Sequence, residues 1–124
     1  MMKKSGRRFL LVEDEILLVL MVEDMLREFC CESVVAASTA QQAIKLIESE
    51  SFDAALLDIN LHGQRSDAVA DRLASHHIPF IFCTGASLVD LPPRFQGRPF
   101  LRKPFGRAEL IEAVEKVLGA TAQA

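Results

Sequence analysis

The run Ala54 to Asp58, four small or apolar residues that end in one acid, is the feature of this sequence that most constrains its fold. A short apolar run that stops abruptly at a charge is typical of a buried strand of a parallel sheet, with its last residue at the carboxyl edge. Ligands of open α/β sheets bind at that edge, so Asp58 is predicted to be the central chemical group of a site. Because buried strands also end in aspartate at ordinary turns, the prediction needs support from other strands.

Three further strand-like runs of the chain also end in reactive groups. The groups that follow these runs are Glu13 and Asp14 after Leu10–Val12, Thr84 and Gly85 after Phe80–Cys83, and Lys103 and Pro104 after Phe100–Arg102. The carboxyl ends of parallel strands meet at one edge of a sheet, so the sequence predicts that these groups lie together around Asp58.

Helical patterns alternate with the strands along most of the chain. The predicted helices run from Glu13 to about Phe29, from Ser38 or Thr39 to about Ser49, from Ser66 to Ser75, and from Arg107 to Leu118, with Gly119 as a stop signal. The predicted strands are Arg8–Val12, Ser33–Ala37, Ala54–Asp58, Phe80–Cys83 and Phe100–Arg102. This alternation predicts an α/β domain with a doubly wound parallel sheet, a flavodoxin-like (βα)5 arrangement with the strand order 2-1-3-4-5.

The connection between the fourth and fifth strands departs from this alternation. The segment from Gly85 to Pro99 also contains Pro92 and Pro93, and a proline inside a helix removes a hydrogen bond and clashes with the preceding turn. At most one helical turn, around Ser87 to Leu91, is expected there. The fourth helix is therefore predicted to be shortened or replaced by a loop.

Composition indicates an ordinary globular domain and argues against several classes of function. The 124 residues predict a single domain over 1–124 with a core of about 8–118, and the formal charge of −3 argues against a nucleic-acid binder that neutralises phosphates. The three cysteines form no disulfide framework and have no zinc-binding spacing. No apolar run is long enough to span a membrane and no signal-peptide core follows the basic N-terminus, so a cytoplasmic location is expected.

Glu13, Asp14 and Asp58 are predicted to form a site for a divalent cation. Three converging carboxylates repel one another, and a hard cation such as Mg²⁺ relieves the repulsion. Lys103 would add a fixed positive charge and Thr84 a hydroxyl donor, so Asp58 would be a nucleophile that forms an acyl phosphate. Each motif alone also fits a helix start, a turn or a surface lysine. Their common position at the strand ends is what supports the site.

The first helix has apolar residues on two faces. Those at helical spacing are predicted to face the core, namely Leu18, Met21, Val22, Met25, Leu26 and Phe29. Ile16 and Leu20 fall on the opposite face, and Leu17 and Val19 lie at its edges. A contact surface for a partner and a scatter of exposed apolar residues explain this second face equally well.

Four segments of the sequence resemble the receiver domain of two-component response regulators. They are VEDE at 12–15, LDINL at 57–61, TG at 84–85 and FLRKPF at 100–105, and the resemblance covers about residues 8 to 118. It implies that Asp58 accepts a phosphoryl group from a histidine kinase or a histidine phosphotransfer protein. It also implies that Asp14, Asp58 and the backbone carbonyl of Asn60 bind Mg²⁺ directly, with Glu13 acting through water.

The same resemblance implies roles for three further residues. Thr84 and Lys103 would bind the phosphoryl group, and Phe100 would be the aromatic switch residue that turns inward when Thr84 moves. Two positions depart from the family pattern, because His62 stands where proline is usual and Ser66 where glycine is usual.

The shortened fourth helix is the largest departure from that family. In the family this helix belongs to the usual output and dimerisation face. Partner docking, or formation of a homodimer, is therefore expected to use Ile16, Leu17 and Leu20 of the first helix instead.

Three functions are compatible with these residues. The leading hypothesis is a single-domain response regulator, catalytic only in its own phosphorylation and dephosphorylation, whose output passes through an unknown protein and involves neither nucleic acid nor membrane. The alternative is a receiver-like protein-binding module that acts without phosphorylation. The third is a phosphohydrolase with an aspartyl-phosphate intermediate. Such enzymes usually carry an Asp-x-Asp motif after the first strand, whereas here the nucleophile follows the third strand and Asn60 occupies the second position.

Overall fold

The computed structural model describes residues 7–29, 31–85 and 91–122, which contain seven strands and four α-helices. The strands are β1 (Arg8–Val12), β2 (Ser33–Ala37), β3 (Ala54–Asp58), β4 (Asn60–Leu61), β5 (Gln64–Arg65), β6 (Phe80–Thr84) and β7 (Phe100–Arg102). The helices are α1 (Ile16–Phe29), α2 (Ala40–Ser49), α3 (Asp67–Ser75) and α4 (Arg107–Ala122). No helix in these parts of the chain is long and apolar enough to cross a membrane.

Five of the strands form one parallel sheet with the order β2-β1-β3-β6-β7. Strands β4 and β5 form a separate two-stranded hairpin. When that hairpin is left out of the count, the order is the predicted 2-1-3-4-5. The central strand β3 is buried along its whole length, as its apolar run predicted.

The register of the sheet brings the ends of its strands to one edge. Val12 pairs with Leu57 between β1 and β3, and Asp58 pairs with Cys83 between β3 and β6. Strand β7 pairs with β6 up to Thr84, the last residue of that strand. The residues that follow β1, β3, β6 and β7 therefore lie side by side.

Helices cover both faces of the sheet, and each face has its own hydrophobic core. Alternate residues of a strand point to opposite faces. Phe9 and Leu11 pack with residues of α1 and α4, whereas Leu10 and Val12 pack with residues of α2 and α3. This two-sided burial explains why the central strands are apolar without interruption.

Helix α1 begins at Ile16, three residues later than predicted, because the acids at 13–15 precede the helix. The prediction that Met21 faces the core is wrong, since its side chain is 40 % exposed. Val19, predicted at the edge of the outer face, is buried. Periodicity identifies an apolar stripe, but contact with the sheet decides which side of the stripe is covered.

The β4–β5 hairpin follows β3 directly and was not predicted. His62 and Gly63 form its two-residue turn, with φ values of 51° and 79°. Two positive φ values in a two-residue turn suit the twist of paired strands. Strands of two residues are too short to leave an alternating pattern in the sequence, so the segment appeared to be an irregular loop.

The described part of the connection before β7, residues 91–99, contains one turn of 3-10 helix at Pro93–Phe95 and no α-helix. This agrees with the prediction that the fourth helix is shortened or replaced. The helical turn predicted around Ser87 to Leu91 lies outside the described residues except for Leu91.

Phe95 fills the space on the sheet that this short turn leaves. Its ring is 2 % exposed and meets the rings of Phe80 and Phe82 edge to face, with centroids 6.3 and 5.5 Å apart. The preceding Arg94 donates two hydrogen bonds of 2.9 Å to the carboxylate of Asp71 on α3. One buried ring and one ion pair therefore attach the connection to the domain.

Helix α4 continues to Ala122, past Gly119, which was predicted to end it. A glycine inside a helix costs about 1 kcal/mol relative to alanine but does not force the helix to stop. The buried side chains of Val117 and Leu118 just before it favour the helical path.

We predict that Phe95→Ala lowers the free energy of unfolding by about 3–5 kcal/mol, because it leaves a cavity beside Phe80 and Phe82. Phe100→Ala is the matched control, because that ring is 47 % exposed and its removal should cost less than half as much. Urea denaturation followed by circular dichroism measures both. Equal losses in the two variants would show that Phe95 is not a core residue.

Candidate functional site

Lys103 joins three carboxylates at the carboxyl edge of the sheet. Its Nζ atom lies 2.9 Å from Glu13 Oε1, 3.0 Å from Glu15 Oε1 and 3.1 Å from Asp58 Oδ2. Burial alone would lower the pKa of Lys103, but the hydrogen bonds to these carboxylates outweigh it and raise this pKa above its usual range. The ammonium group is therefore charged at neutral pH.

The Glu13 side chain lies almost fully buried at the end of β1, with 2 % exposure. Its Oε2 atom accepts the backbone N–H groups of Asp14 and Glu15 at 3.1 Å each. Burial, and to a smaller extent the Asp58 carboxylate, raise the pKa of Glu13 from 4.5 to about 7 despite the Lys103 contact. Such a high pKa means that one ammonium group does not fully compensate the buried negative charge.

The Asp14 carboxylate is held by the hairpin. The backbone N–H of His62 donates to Asp14 Oδ2 at 2.8 Å, and His62 Nδ1 lies 3.6 Å from the same oxygen. Burial alone would raise the pKa of Asp14, but this hydrogen bond and others lower it. A proline at position 62 would have no N–H to donate, so this backbone contact requires a residue other than proline there.

Asp58 is fixed through both its side chain and its backbone. Its Oδ1 atom accepts the backbone N–H of Asn60 at 3.2 Å, while Oδ2 faces Lys103. The hydroxyl of Ser66, a buried residue, lies 2.5 Å from the carbonyl oxygen of Asp58 and 3.0 Å from that of Ile59. The serine thus connects the start of α3 to the end of β3.

An open cavity of about 280 Å³ lies over these groups. Its lining residues are Asp14, Glu15, Asp58, Asn60, His62, Gly63, Thr84, Gly85 and Lys103. Thr84 is buried at the end of β6, and its carbonyl oxygen accepts the backbone N–H of Lys103 at 2.8 Å. The predicted residues of four strand ends therefore surround one small space.

The oxygens of Glu13, Asp14 and Asp58 fit a hard divalent cation. One carboxylate oxygen from each residue lies within 4.8 Å of the others. Lys103 contacts the carboxylates of Glu13, Glu15 and Asp58, and the carboxylate of Asp14 lies beside His62. One ammonium group among these acids leaves net negative charge for a cation to neutralise. Mg²⁺ binds one or two protein carboxylates together with water and other hard oxygens, so this donor set suits it.

Two groups of predicted site residues lie away from this cavity. Phe100 on β7 is exposed and lines a separate groove of about 450 Å³ beside α4. Ile16, Leu17 and Leu20 are exposed on α1, and Leu17 is 79 % exposed. The outward position predicted for Ile16 and Leu20 is thus confirmed.

Glu15, His62 and Ser66 contact the site although the sequence suggested no role for them there. Glu15 is the third of three consecutive acids, and the lysine predicted at the same edge of the sheet could have identified it as an ion-pair partner. Nothing in the sequence indicates the contacts of His62 and Ser66, because both depend on the unpredicted hairpin that turns the chain back toward β3.

Comparison with known proteins indicates one family. The family model of the response regulator receiver domain matches residues 9–115. The transcriptional regulatory protein PdtaR of Mycobacterium tuberculosis is 34 % identical over 113 residues, which are 88 % of this chain and 55 % of PdtaR. The chain therefore spans about half of the length of this curated relative.

Solved structures give the same result. SdrG from Sphingomonas melonis Fr1 is 37 % identical with a TM-score of 0.76, and the match covers 90 % of this chain and 96 % of SdrG. The receiver domain of the sensor histidine kinase PA1611 from Pseudomonas aeruginosa PAO1 has a magnesium ion coordinated in its active site cleft. It is 27 % identical with a TM-score of 0.77, over 93 % of this chain and 99 % of that domain.

We predict that the stability of the metal-free protein falls as the pH rises from about 4.5 to about 7. Folded Glu13 keeps, up to about pH 7, a proton that the unfolded chain releases near pH 4.5, so the folded state binds more protons in this window. At about 1.4 kcal/mol per pKa unit, the loss is on the order of 3 kcal/mol. Urea denaturation across this pH range measures it.

Glu13→Gln is the control for this pH dependence, because glutamine does not titrate and should flatten the profile. A profile of Glu13→Gln as steep as that of the wild type would assign the dependence to other groups.

Proposed function

The chain belongs to the response regulator receiver family, and we propose that its Asp58 accepts a phosphoryl group from a histidine kinase or a histidine phosphotransfer protein. Receiver domains are phosphoacceptor switches of two-component systems rather than classical enzymes. The observation that best supports the proposal is the position of the Asp58 carboxylate at the end of β3, on an open cavity and 3.1 Å from Lys103 Nζ.

The proposed transfer forms one bond and breaks one. A carboxylate oxygen of Asp58 gives an electron pair to the phosphorus of the phosphohistidine, and the P–O bond of an acyl phosphate forms. The electrons of the P–N bond leave with the imidazole nitrogen, which takes up a proton from solvent. Lys103 would neutralise a phosphoryl oxygen, and the Thr84 hydroxyl would donate a hydrogen bond to another.

We assign Asp14, Asp58 and the backbone carbonyl of Asn60 as direct ligands of Mg²⁺, with Glu13 acting through water. When bound, the ion neutralises charge that develops on the phosphoryl oxygens during transfer. The backbone N–H groups of His62 and Asn60 orient the Asp14 and Asp58 carboxylates before any ligand arrives. Because the two carboxylates are already oriented, fewer side chains have to be positioned during the reaction.

Thr84 and Phe100 are the proposed switch residues. Thr84 lies buried beside the cavity, and Phe100 is exposed on the neighbouring strand β7. Because β6 and β7 are paired directly, a movement of Thr84 toward a phosphoryl group would be transmitted to Phe100 through one pair of neighbouring strands. The inward turn of this ring would change the groove beside α4.

The phosphodonor is proposed to dock on the exposed apolar residues Ile16, Leu17 and Leu20 of α1. This helix begins directly after Glu15, which lines the cavity, so a protein bound there brings a histidine close to Asp58. Grouped exposed apolar side chains are typical of protein contact surfaces. We propose that residues 1–124 form one receiver domain, that its output involves contact with another protein, and that any homodimer forms through α1.

We predict that acetyl phosphate with Mg²⁺ adds one phosphoryl mass to the protein, and that Asp58→Asn abolishes this addition. The amide of asparagine is not a nucleophile toward phosphorus under these conditions. Intact mass spectrometry at increasing times measures the labelling.

Labelling of Asp58→Asn at the wild-type rate would place the phosphoacceptor elsewhere. A wild-type protein that binds Mg²⁺ but takes no phosphoryl group, while still binding a partner, would favour the module that acts without phosphorylation.

We predict that the double variant Ile16→Lys with Leu20→Lys keeps the fold and the labelling by acetyl phosphate but transfers at least tenfold more slowly with its protein phosphodonor. A tenfold loss corresponds to about 1.4 kcal/mol, and the burial of two charges at a docking surface costs more than that. Transfer rates from the phosphorylated donor, measured by loss of its label, test this.

The matched control is Gln41→Lys with Ser49→Lys, which makes the same charge change at two exposed positions of α2. Transfer at the wild-type rate by the α1 variant, or an equal loss in the α2 variant, would rule out docking on α1.

A further inference from the structure

The Lys103 ammonium group has no N–H left over for a new ligand. An ammonium has three N–H donors, and Glu13, Glu15 and Asp58 each place one carboxylate oxygen within 3.1 Å of Nζ. A phosphoryl oxygen on Asp58 can therefore bind Lys103 only if one of these carboxylates gives up its contact.

Glu15 is the carboxylate that can leave at the lowest cost. Asp58 carries the phosphoryl group in the proposed reaction and stays in place. Glu13 is buried, and its second oxygen is held by two backbone N–H groups. The Glu15 side chain is 65 % exposed, and Lys103 is its one ion-pair partner among the residues that the structure describes. An exposed carboxylate that leaves an ion pair is readily hydrated.

The backbone of Glu15 would not have to move when its side chain leaves. Its N–H donates to Glu13 Oε2 at 3.1 Å, and its carbonyl oxygen accepts the N–H of Val19 in the first turn of α1 at 3.0 Å. The side chain of Glu15 can therefore rotate away from Lys103 while its backbone stays in place at the rim of the cavity, which Glu15 lines.

We propose that Glu15 is a releasable counterion of Lys103, which holds the ammonium in the unphosphorylated protein and leaves it when a phosphoryl group reaches Asp58. This inference rests on the proposed function of Asp58. Glu15 is a positioning residue here, because it acts on the reaction through Lys103. Its carboxylate competes with the phosphoryl oxygens for the lysine and repels an anionic donor, so it weakens phosphoryl binding.

The test measures the binding of beryllium trifluoride, a mimic of the phosphoryl group, at Mg²⁺ concentrations that saturate each variant. Glu15→Gln should bind the mimic about fivefold more tightly than the wild type, which is the effect of one unit charge about 4 Å away in water. Fluorine NMR gives the dissociation constants. The NMR signal of the Lys103 ammonium should also shift in Glu15→Gln before any mimic is added.

The matched control is Glu28→Gln, which removes the same charge from an equally exposed glutamate that is paired with Arg107. It should leave the affinity for the mimic unchanged. Equal or weaker binding by Glu15→Gln, or equally tight binding by Glu28→Gln, would overturn the role of Glu15.

Failure of the proposed function would look different. A wild-type protein that neither binds the mimic nor takes a phosphoryl group from acetyl phosphate would refute the role of Asp58, and the inference about Glu15 with it. Tight binding of the mimic by the wild type without any gain in Glu15→Gln would refute the inference about Glu15 alone.

Discussion

The contacts of Lys103 are the interaction on which the arrangement of the site depends. The carboxylates of Glu13, which follows β1, and of Asp58, which ends β3, meet at one sheet edge and repel one another, and the lysine that follows β7 supplies a positive charge there. Its backbone is held in turn by the carbonyl oxygen of Thr84 at the end of β6. One side chain thus connects the ends of several strands, and its contacts leave net negative charge in the cluster. That residual charge is why the site suits Mg²⁺.

The described part of the connection before β7, residues 91–99, covers one face of the sheet without an α-helix. Before β7, the ring of Phe95 covers Phe80 and Phe82, and Arg94 pairs with Asp71 on α3. A short turn with one buried ring therefore covers this part of the sheet. Lys103 follows β7, and the pairing of β7 with β6 places the lysine at the site.

Much of the fold could be predicted because its signals are local. Apolar runs that end in polar groups identified the strands, and their alternation with helices predicted the parallel sheet and its order. The same strand ends predicted that Asp14, Asp58, Thr84 and Lys103 come together. The hairpin at 60–65 was missed because its strands are too short to leave a pattern, and the burial of Val19 in place of Met21 was missed because periodicity does not fix the rotation of a helix on its sheet.

The sequence by itself determined which chemical groups stand at the carboxyl edge, because in a parallel sheet the residue after each strand must emerge there. Prolines 92, 93 and 99 likewise excluded a full helix before β7. Only the tertiary structure decided which partners these groups have. The contacts of Glu15 with Lys103 and of His62 with Asp14 join residues that are distant in sequence, and the contact of Ser66 with the backbone of Asp58 spans the hairpin. Such contacts depend on the directions of single side chains and turns. Packing in the folded protein sets these directions, and the local sequence does not.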